Sequence, residues 1–176
     1  MIARLCVLWE LDSHSYGRFQ ELSRAVMDSP FLCASFHPHI TLACYDAIDA
    51  RQLEPWVREF ASTIAPFPVR FEEVGLLSSE RSACFPAYAG PLKQHYQAFH
   101  RRFGELADRW TSPQTGLYTP HVSLYDGPGM VDRAAQQRLA AVFRPFDGQV
   151  QGLGLSLIKG VESYEMLSTY SLTGGA

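Results

Sequence analysis

The sequence predicts an α+β domain of two lobes, and three observations carry that expectation. Strand-like and helix-like segments run strand-helix-strand-helix-strand, then repeat that order and add a final strand. No low-complexity or linker-like stretch separates the two runs, so they form one domain rather than two. A seven-residue motif recurs once, at the second strand of each run.

Residues 2–11, IARLCVLWEL, are almost wholly apolar, as suits a strand covered on both faces. Asp12 and Ser13 are placed to cap a helix with Phe19, Leu22 and Val26 on one side, stopped by Pro30. A second strand spans 39–45. Asp49 and Gln52 have capping-box spacing ahead of Leu53, Val57, Phe60 and Ile64, with Pro55 either starting or kinking that helix. Two strands, 67–77 and 83–89, flank the polar loop 78–82. Leu92, Tyr96, Phe99, Phe103, Leu106 and Trp110 then make the longest helical stripe in the chain. A strand near 118–125 ends at Gly127-Pro128-Gly129, a short helix turns Val131, Ala135, Leu139 and Val142 inward, and strands near 149–159 and 164–172 close the chain.

Composition narrows the function. The chain has 176 residues, 47% of them hydrophobic, enough to bury a substantial core. A formal net charge of −3 argues against holding long nucleic acid on a basic surface, since counterion release needs clustered Lys and Arg. A short nucleotide or an RNA end needs only one or two local cations. No apolar run reaches the roughly 20 residues that span a bilayer, and MIARLCVLWELDSH lacks a small-residue cleavage site. A cytoplasmic protein with no membrane partner is expected. Cys6, Cys33, Cys44 and Cys84 include no close pair, and Cys6, Cys44 and Cys84 sit in apolar runs as small buried hydrophobes, so no disulfide or zinc framework is expected.

The repeat carries the chemistry. Phe36-His37-Pro38-His39-Ile40-Thr41-Leu42 aligns with Tyr118-Thr119-Pro120-His121-Val122-Ser123-Leu124, with Pro, His and Leu identical and the aromatic, β-branched and hydroxyl positions alike in kind. Strand alternation puts His39 with Thr41, and His121 with Ser123, on one face, and turns Ile40, Leu42, Val122 and Leu124 to the core. Two copies related by a pseudo-twofold would bring two imidazoles and two hydroxyls into one groove. One neutral imidazole can take a proton while the other, protonated, gives one to a leaving oxygen. The hydroxyls can donate to phosphate oxygens as charge builds there. Such a set suits phosphodiester chemistry and requires no metal or other cofactor.

With these residues, the chain resembles the two-histidine phosphoesterase superfamily, and within it bacterial proteins of the 2′-5′ RNA ligase and cyclic phosphodiesterase type. The likeness takes in the first strand, both motifs, the FEEVGLLSSERSACFPAY strand pair and the closing hairpin. It implies two ferredoxin-like, pseudo-symmetric halves with antiparallel sheets around a central cleft. The whole of 1–176 would be one bilobal domain, with lobes roughly at 1–80 and 81–146 and a closing hairpin at 147–173. It further implies metal-independent opening of a 2′,3′-cyclic phosphate, or cleavage of a related 2′-5′ linkage. His39 and His121 would be the acid–base pair, with His121 as base, and Thr41 and Ser123 would bind the phosphate. Ligase-type members carry a basic residue just after the second motif, where this chain has Tyr125-Asp126. That departure favours a small cyclic-phosphate nucleotide over an RNA terminus as partner. Tyr125 shares the parity of His121 and is expected to stack a base or ribose; Tyr45 shares that of His39, further along.

Competing readings are specific. His37 and His39 form a His-x-His pair able to chelate a metal, but the counterpart of His37 is Thr119 and no Cys or acid stands near in sequence, so no metal site is expected. His14, His95 and His100 read as surface residues, and Gly152-Leu153-Gly154 as a bulge or a place of close packing. A non-catalytic module binding a nucleotide or RNA end, and 2′-5′ RNA ligation by the reverse reaction, are the two other functions the groove would serve. A monomer is expected.

Overall fold

The apolar opening run forms β1 (Arg4–Leu11), buried along nearly its whole length. The computed structural model describes residues 4–26, 37–126, 132–160 and 163–175, with backbone alone at 25–26, 125–126, 159–160 and 163–164. Pro30, Cys33, Phe36, Gly127-Pro128-Gly129 and Val131 lie outside the described residues, as does the Val26 side chain. After β1, the Asp12 carboxylate accepts from the Ser15 N–H at 2.8 Å and starts α1 (Ser13–Val26), which buries Phe19 and Leu22. β2 (His39–Tyr45) follows. Asp49 caps α2 (Ala50–Thr63) through the Arg51 N–H at 2.7 Å, so the helix begins before Pro55 and contains it.

A hairpin of β3 (Phe67–Ser78) and β4 (Arg81–Pro86) leads to α3 (Gly90–Phe99). β5 (Val122–Asp126), α4 (Arg133–Val142), β6 (Phe146–Gly160) and β7 (Ser163–Ser171) complete the chain. No described helix is long and apolar enough to cross a membrane.

The strands form one antiparallel sheet in the order β2-β1-β6-β3-β4-β5, with β7 paired to β6. Exchanging β1 with β4, β2 with β5 and β3 with β6 maps this order onto its own reverse, so a pseudo-twofold passes between β6 and β3. The third strand of each half lies against the other half. β6 pairs with β1 from Val150 to Ile158, and β3 pairs with β4 from Phe71 to Ser78. A division at 80/81 drawn in sequence order therefore runs through the β3–β4 hairpin.

All four helices cover one face. Phe19, Phe60, Phe99 and Leu139, one from each helix, join Val7 and Trp9 in a single buried cluster. Each such side chain contributes roughly 1.5–3 kcal/mol by leaving water. On the opposite face, Cys6, Leu8 and Cys44 form a smaller cluster that continues toward Glu10 along β1.

Four expectations are corrected. The long helical stripe breaks after Phe99. Phe103 takes a left-handed φ of 63°, a three-residue 3-10 turn spans Gly104–Leu106, and Leu106 and Trp110 are 51% and 57% exposed. The chain leaves the helix to cover the outer edge of β2. The Asp108 N–H donates to the Cys44 carbonyl at 2.7 Å, and the Cys44 N–H donates to Thr111 Oγ1 at 3.0 Å. Those bonds satisfy an edge strand that would otherwise expose its ladder, a tertiary gain that helical spacing cannot register. His100 is consequently buried, and Val142 at the end of α4 is exposed. Finally, Cys6 and Cys44 are cross-strand partners with Cα atoms 4.3 Å apart and are joined as a disulfide. The antiparallel register brings them together despite 38 residues of separation. Cys84 is a buried free thiol whose pKa burial pushes up to about 12.

Candidate active site

The two motifs sit on strands at opposite ends of the sheet order, yet those strands touch. Ile40, Leu42, Val122 and Leu124 are buried in the core, as alternation requires, while His39, Thr41, His121 and Ser123 are half-buried. His39 Nδ1–H donates to the His37 carbonyl at 2.7 Å, and His121 Nδ1–H donates to the Thr119 carbonyl at 2.8 Å. The identical Pro38 and Pro120 explain the match, since the residue before a proline is held extended and presents its carbonyl to the ring two positions on. A carbonyl only accepts, so Nδ1 bears the hydrogen in both rings. In the neutral form Nε2 then carries the basic lone pair.

Burial lowers the pKa of His39; its bond to the His37 carbonyl and the nearby Glu10 charge push it back up, and the His37 and His121 charges lower it further. The Tyr118 hydroxyl donates to the Thr41 carbonyl at 2.8 Å and ties the second motif to the backbone of the first. Its phenol is held well above the usual range by burial and by Tyr88 and Tyr96, so it remains a donor.

Both motifs bend in the same way. The register slips between Val7 and Leu8 opposite Ala43 and Thr41, and between Ser82 and Ala83 opposite Tyr125 and Ser123. In each copy one extra residue, Leu42 or Leu124, is inserted just past the hydroxyl, and the alternation reverses beyond it. Tyr45 is therefore not a groove residue. It is 1% exposed in the main core, which corrects its expected role in substrate binding. The same slip breaks the alternation on which the Tyr125 expectation rests, and the Tyr125 side chain lies outside the described residues.

Two side chains that contact the motifs escape sequence reasoning. Glu10 is 6% exposed and lies directly across from His39 on β1, with Oε2 against His37 Nε2. That bond raises the pKa of His37. The signal in the sequence was a lone acid inside an otherwise apolar run, and the acidic partner that His37 lacks in sequence is supplied in space. The other is Tyr118, whose aromatic position in the repeat gave no hint of its hydroxyl contact. Among the described residues, no three His, Cys, Asp or Glu side chains are grouped to hold a metal ion. Gly152 and Gly154 fit the close-packing reading: a Cβ at Gly154 would stand 2.5 Å from Glu10 Oε1, and one at Gly152 would stand 2.9 Å from the Tyr170 carbonyl.

No curated protein sequence matches the chain. Residues 17–88 match the family described as LigT like phosphoesterase, a span that holds the first motif and ends before the second. Across the fold, the chain is similar to the TT0787 protein of Thermus thermophilus, at 16% identity and TM-score 0.66 over 98% of this chain and 100% of that one. It is similar to E. coli LigT in apo form at 17% identity and TM-score 0.60 over 97% of each chain. With E. coli LigT complexed with NADP+ the figures are 18% and 0.59, over 97% of this chain and 98% of that one. At such identities the likeness is one of fold. The family match therefore covers the first motif and its surroundings, and the likeness over the rest of the chain is to the fold of these structures.

Proposed function

We propose that the chain is a phosphodiesterase that opens a 2′,3′-cyclic phosphate on a small nucleotide or RNA end using two imidazoles and no metal. The observation that carries this reading is the matched pair of rings on two touching strands, each with Nδ1–H tied to the carbonyl two residues back. His121 Nε2 takes a proton from water, the water oxygen bonds to phosphorus, the bond from phosphorus to the 3′ oxygen breaks, and His39 delivers a proton to that oxygen. The product is a 2′-phosphate. Thr41 and Ser123, two residues past each histidine, donate to the non-bridging oxygens as their charge grows. E. coli LigT structures complexed with NADP+, 3′-AMP and ATP support a nucleotide as the ligand class here.

The test is hydrolysis of the four 2′,3′-cyclic nucleoside monophosphates in excess chelator, by the wild type, His39→Ala and His121→Ala. Turnover should survive the chelator and fall by at least about 10²-fold in each variant, with a 2′-phosphate seen by phosphorus NMR. Either variant retaining the wild-type rate sinks the acid–base pair. Nucleotide binding without turnover of any cyclic phosphate would leave a binding module instead.

A further inference from the structure

Hydrolysis by two imidazoles needs them in opposite protonation states, but the two motifs are matched and cannot by themselves assign the roles. The difference between the halves lies one strand inward. Across from His39 stands Glu10, whereas the ring beside His121 is that of Phe85, with centroids 6.5 Å apart. The residue two before each histidine also differs, His37 in one copy and Thr119 in the other. Neither member of the Glu10–His37 pair is repeated.

The pair is built into the sheet. Glu10 faces His39 on β2 and Gly152 on β6. Its Oε2 holds the His37 ring, and the His37 carbonyl in turn receives Nδ1–H of His39. Its Oε1 is buried with no hydrogen-bond partner among the described residues, over the space left by the absent side chain of Gly154. A buried carboxylate with an unsatisfied oxygen costs folding free energy.

We propose that Glu10 is the positioning residue that distinguishes the two histidines: through His37 it orients the His39 ring, and its charge favours the protonated ring against the opposing effect of burial, so that His39 is the donor to the leaving oxygen and His121 the base. This rests on the two-histidine reading above. Among the described residues, the charged and titratable groups acting on His39 include Glu10 from β1, His37 from the entry to its own strand and His121 from the entry to β5. A proton donor works only below its own pKa, so the rate falls on the alkaline side as His39 loses its proton. Glu10 favours the protonated ring and the His37 charge disfavours it, so their removal moves that limb in opposite directions.

The experiment is the pH–rate profile of the full chain on a 2′,3′-cyclic nucleotide, paired with NMR titration of the His39 and His121 rings in the absence of substrate. Glu10→Gln, which keeps the shape of the side chain, should move the alkaline limb down by about one pH unit and leave the acidic limb in place. His37→Gln, a more exposed position, should move the alkaline limb up, and Glu10→Asp should restore most of the wild-type profile. Thermal melts confirm that each variant folds. Movement of the acidic limb instead would make His39 the base and overturn the assignment, and a fall in rate with an unmoved profile would reduce Glu10 to a structural part. If the wild type opens no cyclic phosphate, the functional reading fails and the titration still decides the role of Glu10. His39 should then lose its proton at lower pH in Glu10→Gln while His121 is unchanged, and equal shifts or none would overturn it.

Discussion

The Tyr118 hydroxyl lies between the two motifs, bonded to the Thr41 carbonyl at 2.8 Å, while its ring stacks on Tyr96 with centroids 4.1 Å apart and planes 9° from parallel. Tyr96 is itself anchored through its hydroxyl to the Thr111 carbonyl at 2.8 Å. The approach of β2 to β5 thus includes a donor set in a packed aromatic group. Tyr118→Phe keeps the stack and removes the donor, leaving the Thr41 carbonyl without it. Stability should fall by about 1–2 kcal/mol, read from urea midpoints. Turnover should fall by about tenfold, because misplacing one half of an acid–base pair costs rate far from the mutated atom. An unchanged rate would mean that other contacts hold β2 and β5 together.

At the scale of elements, the two halves use the same bulge but pack their glycines differently. Gly154 lies beneath Glu10, where a Cβ would meet Oε1 at 2.5 Å and the Met166 Sδ and Cε at 3.1 Å. Gly75 pairs with Ala83, which in turn pairs with Ser123, and a Cβ at Gly75 meets nothing nearer than Phe85 at 3.7 Å. Gly154→Ala should therefore destabilise by about 1–3 kcal/mol through overpacking, whereas Gly75→Ala should leave the melting temperature within about a degree or two of the wild type. Differential scanning calorimetry on both variants checks the pair, and equal losses would mean that the glycines serve the strands and not the carboxylate. The break of α3 belongs to this scale too. Leu92, Tyr96 and Phe99 satisfy a helical stripe and are buried, but beyond Phe99 the edge of β2 claims the chain.

Across the whole molecule, the buried histidines set the response to acid. Burial lowers the pKa of His39, His95 and His100. Each therefore contributes stability that is present above the unfolded value near 6.5 and is lost as pH falls through the folded value. His37 is raised by its bond to Glu10, so its contribution has the opposite sign, full below the unfolded value and lost as pH rises. Three groups against one predict a urea midpoint that declines between about pH 7 and about pH 5. His100 is 6% exposed, with Nδ1–H on the Tyr96 carbonyl and no partner for Nε2 among the described residues, so His100→Gln should flatten that decline. A midpoint that rises on acidification would give the His37–Glu10 pair the larger share.

Much of the site was legible in order of residues alone. The repeated Pro-His-x-hydroxyl-Leu pattern places both histidines and both hydroxyls through strand alternation, a short-range steric property of the backbone that tertiary contacts rarely override. The caps at Asp12 and Asp49, the apolar β1 and the buried stripe through Phe99 are local in the same sense. What local patterns do not contain is register. The bulge that turns Tyr45 into the core, the pairing of Cys6 with Cys44, and the exchange of third strands between the halves each depend on which residue lies opposite which. Glu10 belongs with them. Its charge was plain in the sequence, but its nearness to His39 and His37 arises only when β1 and β2 pair. Hydrogen bonding across the sheet is satisfied by a single register, and that choice decides the neighbours of every side chain in the site.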